Sequence, residues 1–287
     1  MSGASLRKTP YALTGPGVLF FAALLGAPIV MTFLLSLHSY DFTLGIQSDW
    51  SLGNYADVLT DSYFHKIFGR TFGLGLLVTV CCILIGVPEA YVLSRLSSRW
   101  RSIFLLIVLG PLLIAVVVRT LGWALLFGST GILSMTAQAL GFADAPVSLM
   151  FTFTGMTIAL VHVLVPFMVI AVWASLQKID PQSEDAGLSL GASKFTVLRR
   201  ITLPQAMPGI LSGSIIVFAL TTSAFATPAI IGGRRMKVVA TAAYDEYLGT
   251  LNWPLGAAIA VLLLLANVVI IVSFNKFIER RYAKVFE

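Results

Sequence analysis

Charged side chains are scarce in this sequence: Asp, Glu, Lys and Arg make up 11% of 287 residues, whereas soluble domains carry about 25%. So few charges do not cover a water-facing surface of this size, which argues against a soluble enzyme or a nucleic-acid binder. Cysteine is nearly absent. Cys81 and Cys82 stand side by side in an apolar run, where they behave as small hydrophobic residues, and a secreted disulfide scaffold is excluded. There is no G-x4-G-K loop followed by Ser or Thr. Gly187 with Gly191-Ala192-Ser193-Lys194 comes near it at the wrong spacing, so ATP hydrolysis is not expected of this chain. His162 has no second ligand close in sequence, and no metal site is expected. Neither a nucleophile–base arrangement nor an aspartyl pair is recognisable, which disfavours an intramembrane enzyme.

What the sequence has is apolar length. Hydrophobic residues make up 57% and the mean hydropathy is +0.91, so the solvent is a bilayer. A hydrocarbon core of about 30 Å takes about 20 helical residues. Six apolar runs reach that length: Gly15–Leu37, Thr71–Ser94, Ile103–Phe127, Leu149–Leu176, Pro208–Ile231 and Leu255–Phe274. Glu89, Arg119 and His162 are the only acidic or basic side chains inside them. The first run is too long for the apolar region of a signal peptide and reads as a retained span. The expected fold is an all-α membrane protein with six transmembrane helices, five or seven being the alternatives, in one domain over residues 1–287.

Positive charge orients the spans. Arg7 and Lys8; Arg95, Arg99 and Arg101; Lys178, Lys194, Arg199 and Arg200; and Lys276, Arg280, Arg281 and Lys284 fall in alternate segments and hold thirteen of the nineteen basic residues. Those segments should face the cytoplasm, both termini included. The segment His38–Arg70, with Asp41, Asp49, Asp57 and Asp61, and the segment Gly128–Ser148, without Lys or Arg, should face outward. The loop Gly232–Pro254 resists the rule with Arg234, Arg235 and Lys237. Pro28, Pro88, Pro111, Pro166 and Pro228 interrupt five spans, which suits helices around a cavity better than a static anchor.

The cytoplasmic loop 177–207 carries the most information. Asp180-Pro181 predicts a helix start, with an N-cap followed by proline at the first helical position. Glu184 and Asp185 then lie near the positive end of the helix dipole, and Gly191 supplies a left-handed stop. Ser193 caps a second helix, Lys194–Thr202, whose Phe195, Leu198 and Ile201 form an apolar stripe opposite Arg199 and Arg200. Leu203-Pro204 is expected to end it.

Glu184-Asp185-Ala186, Gly191 seven residues after Glu184, then Ile201, Leu203 and Pro204 resemble the EAA loop, E-A-A-x3-G-x9-I-x-L-P, of bacterial ABC importer permeases. On this reading Asp185 departs from the family's alanine. Four further stretches resemble the spermidine/putrescine-type branch: Leu52–Leu59, Arg119–Trp123, Val165–Met168 and Trp253–Ala258. The resemblance implies the type I importer permease (MetI-like) fold in the bacterial inner membrane, and a coupling helix seated in a groove of a cytoplasmic ATPase, with the acidic Glu184–Asp185 face meeting a basic groove. It also implies two ATPase subunits that bind ATP and magnesium, a second permease subunit that makes a heterodimer, and a periplasmic binding protein. No cofactor is expected in this chain. The implied function is import of a polyamine or related amine. A self-contained secondary transporter or channel is the alternative, but it would need coupling-ion carboxylates, and only Glu89 lies within the spans.

Candidate path residues follow. Arg119 lies mid-span and shares a face with Trp123, which suits the bundle interior near a solute gate; snorkelling or pairing with an acid such as Asp144 is the alternative. Glu89, toward the cytoplasmic end of its span and within reach of Arg95 or the interface, is expected to form a structural ion pair rather than touch solute, and His162 to be a hydrogen-bonded packing residue. Ser223–Gly233, which includes Phe225, corresponds to a stretch of the branch resembling G-E-F-x-I-P-D/E-L-L-G-G. Ala224 and Ala229 stand where its acids would neutralise amines. Tyr244, Asp245, Glu246 and Tyr247 combine acids with aromatics suited to a cationic amine, or else form a solvated loop against the binding protein.

Overall fold

The computed structural model describes residues 9–286, with side chains from 14 to 276. Arg7 and Lys8 lie outside the described residues, and the side chains of Arg280, Arg281 and Lys284 are outside the described set. Among the described residues, six helical segments are long and apolar enough to cross a bilayer: Thr14–Ser36, Ser62–Arg95, Val116–Ala139, Phe153–Leu176, Lys194–Thr222 and Trp253–Lys276. The chain divides into two compact units, one of residues 1–65 and 242–269 and the other of residues 66–241 and 270–287.

In the first unit, α1 (Thr9–Ser36) leads into a β-hairpin, β1 (His38–Asp41) and β2 (Gly45–Trp50), and then α2 (Gly53–Thr60). The strands pair antiparallel, with Tyr40 opposite Ile46. The Asp41 carboxylate accepts from the backbone N–H groups of Thr43 at 2.7 Å and Leu44 at 3.0 Å, and Gly45 at φ 79° completes the reversal. The end of α1 is satisfied by the Leu52–Leu59 stretch. Asn54 Nδ2 donates to the carbonyls of Ser36 (3.0 Å) and His38 (2.8 Å), and the Tyr55 and Ser36 hydroxyls lie 2.5 Å apart. Further on, Tyr247 stacks on Trp253 at 5.3 Å. A Cβ on Gly256 would meet the Ala243 carbonyl at 3.0 Å, so the Trp253–Ala258 stretch is a close-packed helix start.

The second unit is built on α7 (Phe153–Leu176), whose start is capped by the Thr152 hydroxyl accepting from Gly155 N at 3.0 Å. Met156, Met168, Val169 and Val172 on α7 are fully buried. The helix packs on α10 (Leu203–Thr222) through Gly209 and Gly213, four residues apart. A Cβ at Gly209 would come 2.5 Å from the Ala171 carbonyl oxygen, and one at Gly213 would come 2.8 Å from Met168 Sδ. Small residues at that spacing let two backbones approach where lipid supplies no hydrophobic drive. On the other side, α3 (Ser62–Arg95) sets Gly86 against Met168, where a Cβ would stand 2.8 Å from Cγ.

The third apolar run is not one helix. It is divided into α4 (Ser98–Leu113) and α5 (Val116–Phe127), with Ile114 and Ala115 extended between them, and α6 (Ile132–Ala139) completes the crossing. Sixteen residues of α4 rise about 24 Å, short of the hydrocarbon core. The fifth helix ends at Thr222, earlier than the expected Ile231, and Pro228–Gly232 forms a separate π-helical turn. Leu203-Pro204 does not stop a helix. α9 (Lys194–Val197) runs through a π turn at Leu198–Thr202 directly into α10, with Leu203 N–H donating to the Leu198 carbonyl. The wider turn accommodates Pro204, which has no N–H to offer.

Candidate functional site

Residues 177–207 fold as a compact helical bend. α8 (Pro181–Ser189) starts where the Asp180 carboxylate accepts from Gln182 N at 3.0 Å. It ends at Gly191, φ 82°, whose N–H donates to the Leu188 carbonyl at 2.9 Å. The Ser193 hydroxyl accepts from Thr196 N at 3.2 Å and starts the next helix. The two helices touch at Gly187, where a Cβ would lie 2.7 Å from Ile201 Cδ1 and 3.3 Å from Val197 Cγ2.

The two acids of α8 point in different directions. Glu184 turns inward: Arg95, at the end of α3, donates to Oε2, and the buried Thr202 hydroxyl donates to Oε1 at 2.8 Å. The Arg95 guanidinium also lies 5.0 Å over the Tyr91 ring. Burial works to raise the Glu184 pKa, but the hydrogen bonds from Arg95 and Thr202 and the Arg95 charge outweigh it, and the carboxyl is held below its ordinary value. Asp185 and Ala186 are exposed, as is Leu190 at 89%. The expected acidic face is therefore split, with Glu184 as an internal brace and Asp185 outside.

The motif register is corrected accordingly. Three spacer residues counted back from Gly191 place the triplet on Asp185-Ala186-Gly187, one residue later than the Glu184 start. On that register Asp185 occupies the acidic position and Gly187 the close helix contact. Ile201 packs on Gly187, Leu203 is half-buried and Pro204 exposed. Phe195 does not join Ile201 in a buried stripe: it is 70% exposed, and Val197 takes the buried position.

Arg119 is 92% buried, and its guanidinium donates to the Pro111 carbonyl, not to Asp144. The last four carbonyls of α4 have no helical partner, and lipid offers none. Arg119 reaches back from the first turn of α5 to satisfy one of them, at the end of α4 where the helix dipole favours a cation. Its Nε atom is buried without a partner. Arg119 and Phe225 line one cavity of about 490 Å³, together with Ser223, Ala224 and Thr227. No acid lines that cavity.

Trp123 does not line it. Its Nε1 donates to His162 Nδ1 at 3.3 Å, with the rings edge to face at 5.4 Å. Glu89 does not pair with Arg95, which is engaged by Glu184. It lines a second cavity, of about 570 Å³, between α3, α4 and α7. Tyr244, Asp245 and Glu246 belong to the other compact unit. They lie where α11 (Val239–Tyr244) passes into the π turn Asp245–Gly249, and Glu246 accepts from the Thr250 hydroxyl at 2.8 Å.

Residues 90–284 match the family described as binding-protein-dependent transport system inner membrane component. The chain belongs to that family. It is a multi-pass permease subunit of an ABC importer in the inner membrane, a transport component whose ATPase is a separate subunit. It is 29% identical over 236 residues to the spermidine/putrescine transport system permease protein PotB of Escherichia coli, covering 82% of this chain and 86% of the relative. It is 34% identical over 194 residues to the molybdenum transport system permease protein ModB of Mycobacterium bovis, covering 68% and 71%. In fold it resembles a bacterial ABC transporter that imports the acidic polysaccharide alginate, with a TM-score of 0.77 at 19% identity and 96% coverage of both chains.

Proposed function

We propose that this permease imports a polyamine or related amine delivered by a periplasmic binding protein, with residues 177–207 as the coupling loop of a single transport domain over residues 1–287. The solute class follows from the likeness to the spermidine/putrescine permeases. Two ATPase subunits bind ATP and magnesium, a second and different permease subunit completes the path, and both termini face the cytoplasm. The split of acids on α8 carries the coupling assignment. Glu184 fastens α8 to α3 and to the π turn that precedes α10, while Asp185, Ala186 and Leu190 form a mostly apolar face with one charge, suited to a groove with a basic rim.

The test is co-expression with the ATPase and the second permease. Wild-type chain co-purifies with the ATPase and supports binding-protein-dependent uptake. Asp185→Arg or Gly191→Pro abolishes both. Retention of complex and uptake in both variants would overturn the coupling assignment.

A further inference from the structure

We propose that the cavity lined by Glu89 is an ammonium-binding station on the translocation path, with Glu89 as the carboxylate that recognises a solute amine. The inference rests on the amine reading above and assigns it a site. The cavity is an open groove of about 570 Å³, with Ile85, Ile107 and Ile158 at its exposed rim, within the size range of small-molecule sites. Glu89 is the only acid within the six apolar runs, and an ionisable side chain at membrane depth marks a path or a partner. The expected partner is taken: Arg95 is held by Glu184, and no Lys or Arg lines the cavity.

The surrounding backbone adds acceptors. Proline removes the N–H that would bond the carbonyl four residues earlier in a helix. Pro111 thereby releases the Ile107 carbonyl, and Pro166 releases the His162 carbonyl. All four residues line this cavity. Thr157 lines it too, and its hydroxyl proton is directed to the Phe153 carbonyl at 2.9 Å, so its lone pairs are what it offers a ligand. A carboxylate, released carbonyls and a hydroxyl acting as acceptor match an alkylammonium group, which brings donors and no acceptor. The apolar remainder suits the methylene chain. The Arg119 cavity has the opposite character: a guanidinium, no acid, and Ala224 in its wall. A buried cation is strongly disfavoured there and compensated beside Glu89.

The test uses the assembled importer in liposomes, with radiolabelled putrescine and spermidine as solutes and Glu89→Gln and Glu89→Asp as variants. Glu89→Gln lowers uptake at least about tenfold, the loss of one charge-assisted hydrogen bond. Glu89→Asp keeps a large part of it, and ATP hydrolysis without solute is unchanged in both. In parallel, dicyclohexylcarbodiimide, which modifies carboxyl groups in apolar surroundings, is applied to the wild-type complex. Putrescine slows the labelling of Glu89 and 1,4-butanediol does not. Uptake by Glu89→Gln within about twofold of wild type overturns the assignment, and so does labelling indifferent to putrescine. Should Glu89→Gln fail to assemble, the labelling result decides alone. Import of both amines with Glu89 dispensable refutes this inference only. A wild-type complex that neither imports amines nor shows protection refutes the amine reading with it.

Discussion

Removing the Glu184 carboxylate should loosen the coupling loop without unfolding the spans. Arg95 is 48% exposed and Glu184 12%, so the ion pair is discounted to the surface range of about 0.2–1 kcal/mol. The buried Thr202 hydroxyl donating to a carboxylate adds about 1.5 kcal/mol, near the lower end for charged partners because a threonine can turn to a carbonyl of its own helix. Glu184→Ala therefore weakens the docking of α8 by about 2 kcal/mol, or about 30-fold in its local opening equilibrium. Hydrogen exchange of the α8 amides, measured on the full importer in lipid nanodiscs, reads this directly. Asp185→Ala, which removes an exposed side chain, leaves those amides unchanged and instead weakens ATPase retention. If Glu184→Ala exchanged within about twofold of wild type, or if Asp185→Ala exposed α8 more than Glu184→Ala did, the inward and outward roles would be wrong.

Other consequences follow from the same geometry. Because the Glu184 pKa lies below its ordinary value, its contribution is fully present above the ordinary glutamate range and is lost as pH falls through the depressed value. Exchange of α8 corrected for intrinsic rate should therefore be flat from pH 8 to pH 5 and rise only in stronger acid. Arg119→Leu strands the Pro111 carbonyl and costs about 1–3 kcal/mol, visible as a lower Tm of the purified complex. Gly209→Ala drives a Cβ against the Ala171 carbonyl and costs about 1–3 kcal/mol by overpacking, read by the same Tm. Gly187→Ala meets the flexible end of Ile201 at 2.7 Å and Val197 Cγ2 at 3.3 Å, contacts that side-chain movement relieves, and leaves ATPase retention near wild type. Gly191→Val, at φ 82°, costs at least about 1–2 kcal/mol of backbone strain and lowers retention.

The parts legible in the sequence are those whose signal is local. Asp180, Pro181, Gly191 and Ser193 announced their caps because capping depends on a few neighbouring residues. Span number followed from run length. The β-hairpin was missed because the alternation of Tyr40, Phe42, Leu44 and Ile46 with Asp41, Thr43, Gly45 and Gln47 runs straight through the turn at Asp41–Gly45 and so gives no sign of where the chain reverses. The break at Ile114 and Ala115 lies between apolar residues and becomes intelligible only when Arg119 is seen reaching Pro111. Gly209 and Gly213 were readable by their spacing, but which helix they meet is a tertiary fact. The direction of Glu184 depended on Arg95, 89 residues away, although counting the spacer from Gly191 would have set Asp185 in the acidic position.

The absence of a stop at Pro204 has a mechanical meaning. Lys194–Thr222 is one helical rod of 29 residues, about 43 Å long. Leu220 near its far end and Ser223 just beyond it line the Arg119 cavity. The chain stays helical from Ser193 through the π turn at Leu198–Thr202 and past Pro208 to that cavity, and a tilt of about 5° at its near end displaces the far end by about 4 Å. On the proposed coupling role, a small stroke at residues 177–207 arrives at that cavity as a change of aperture.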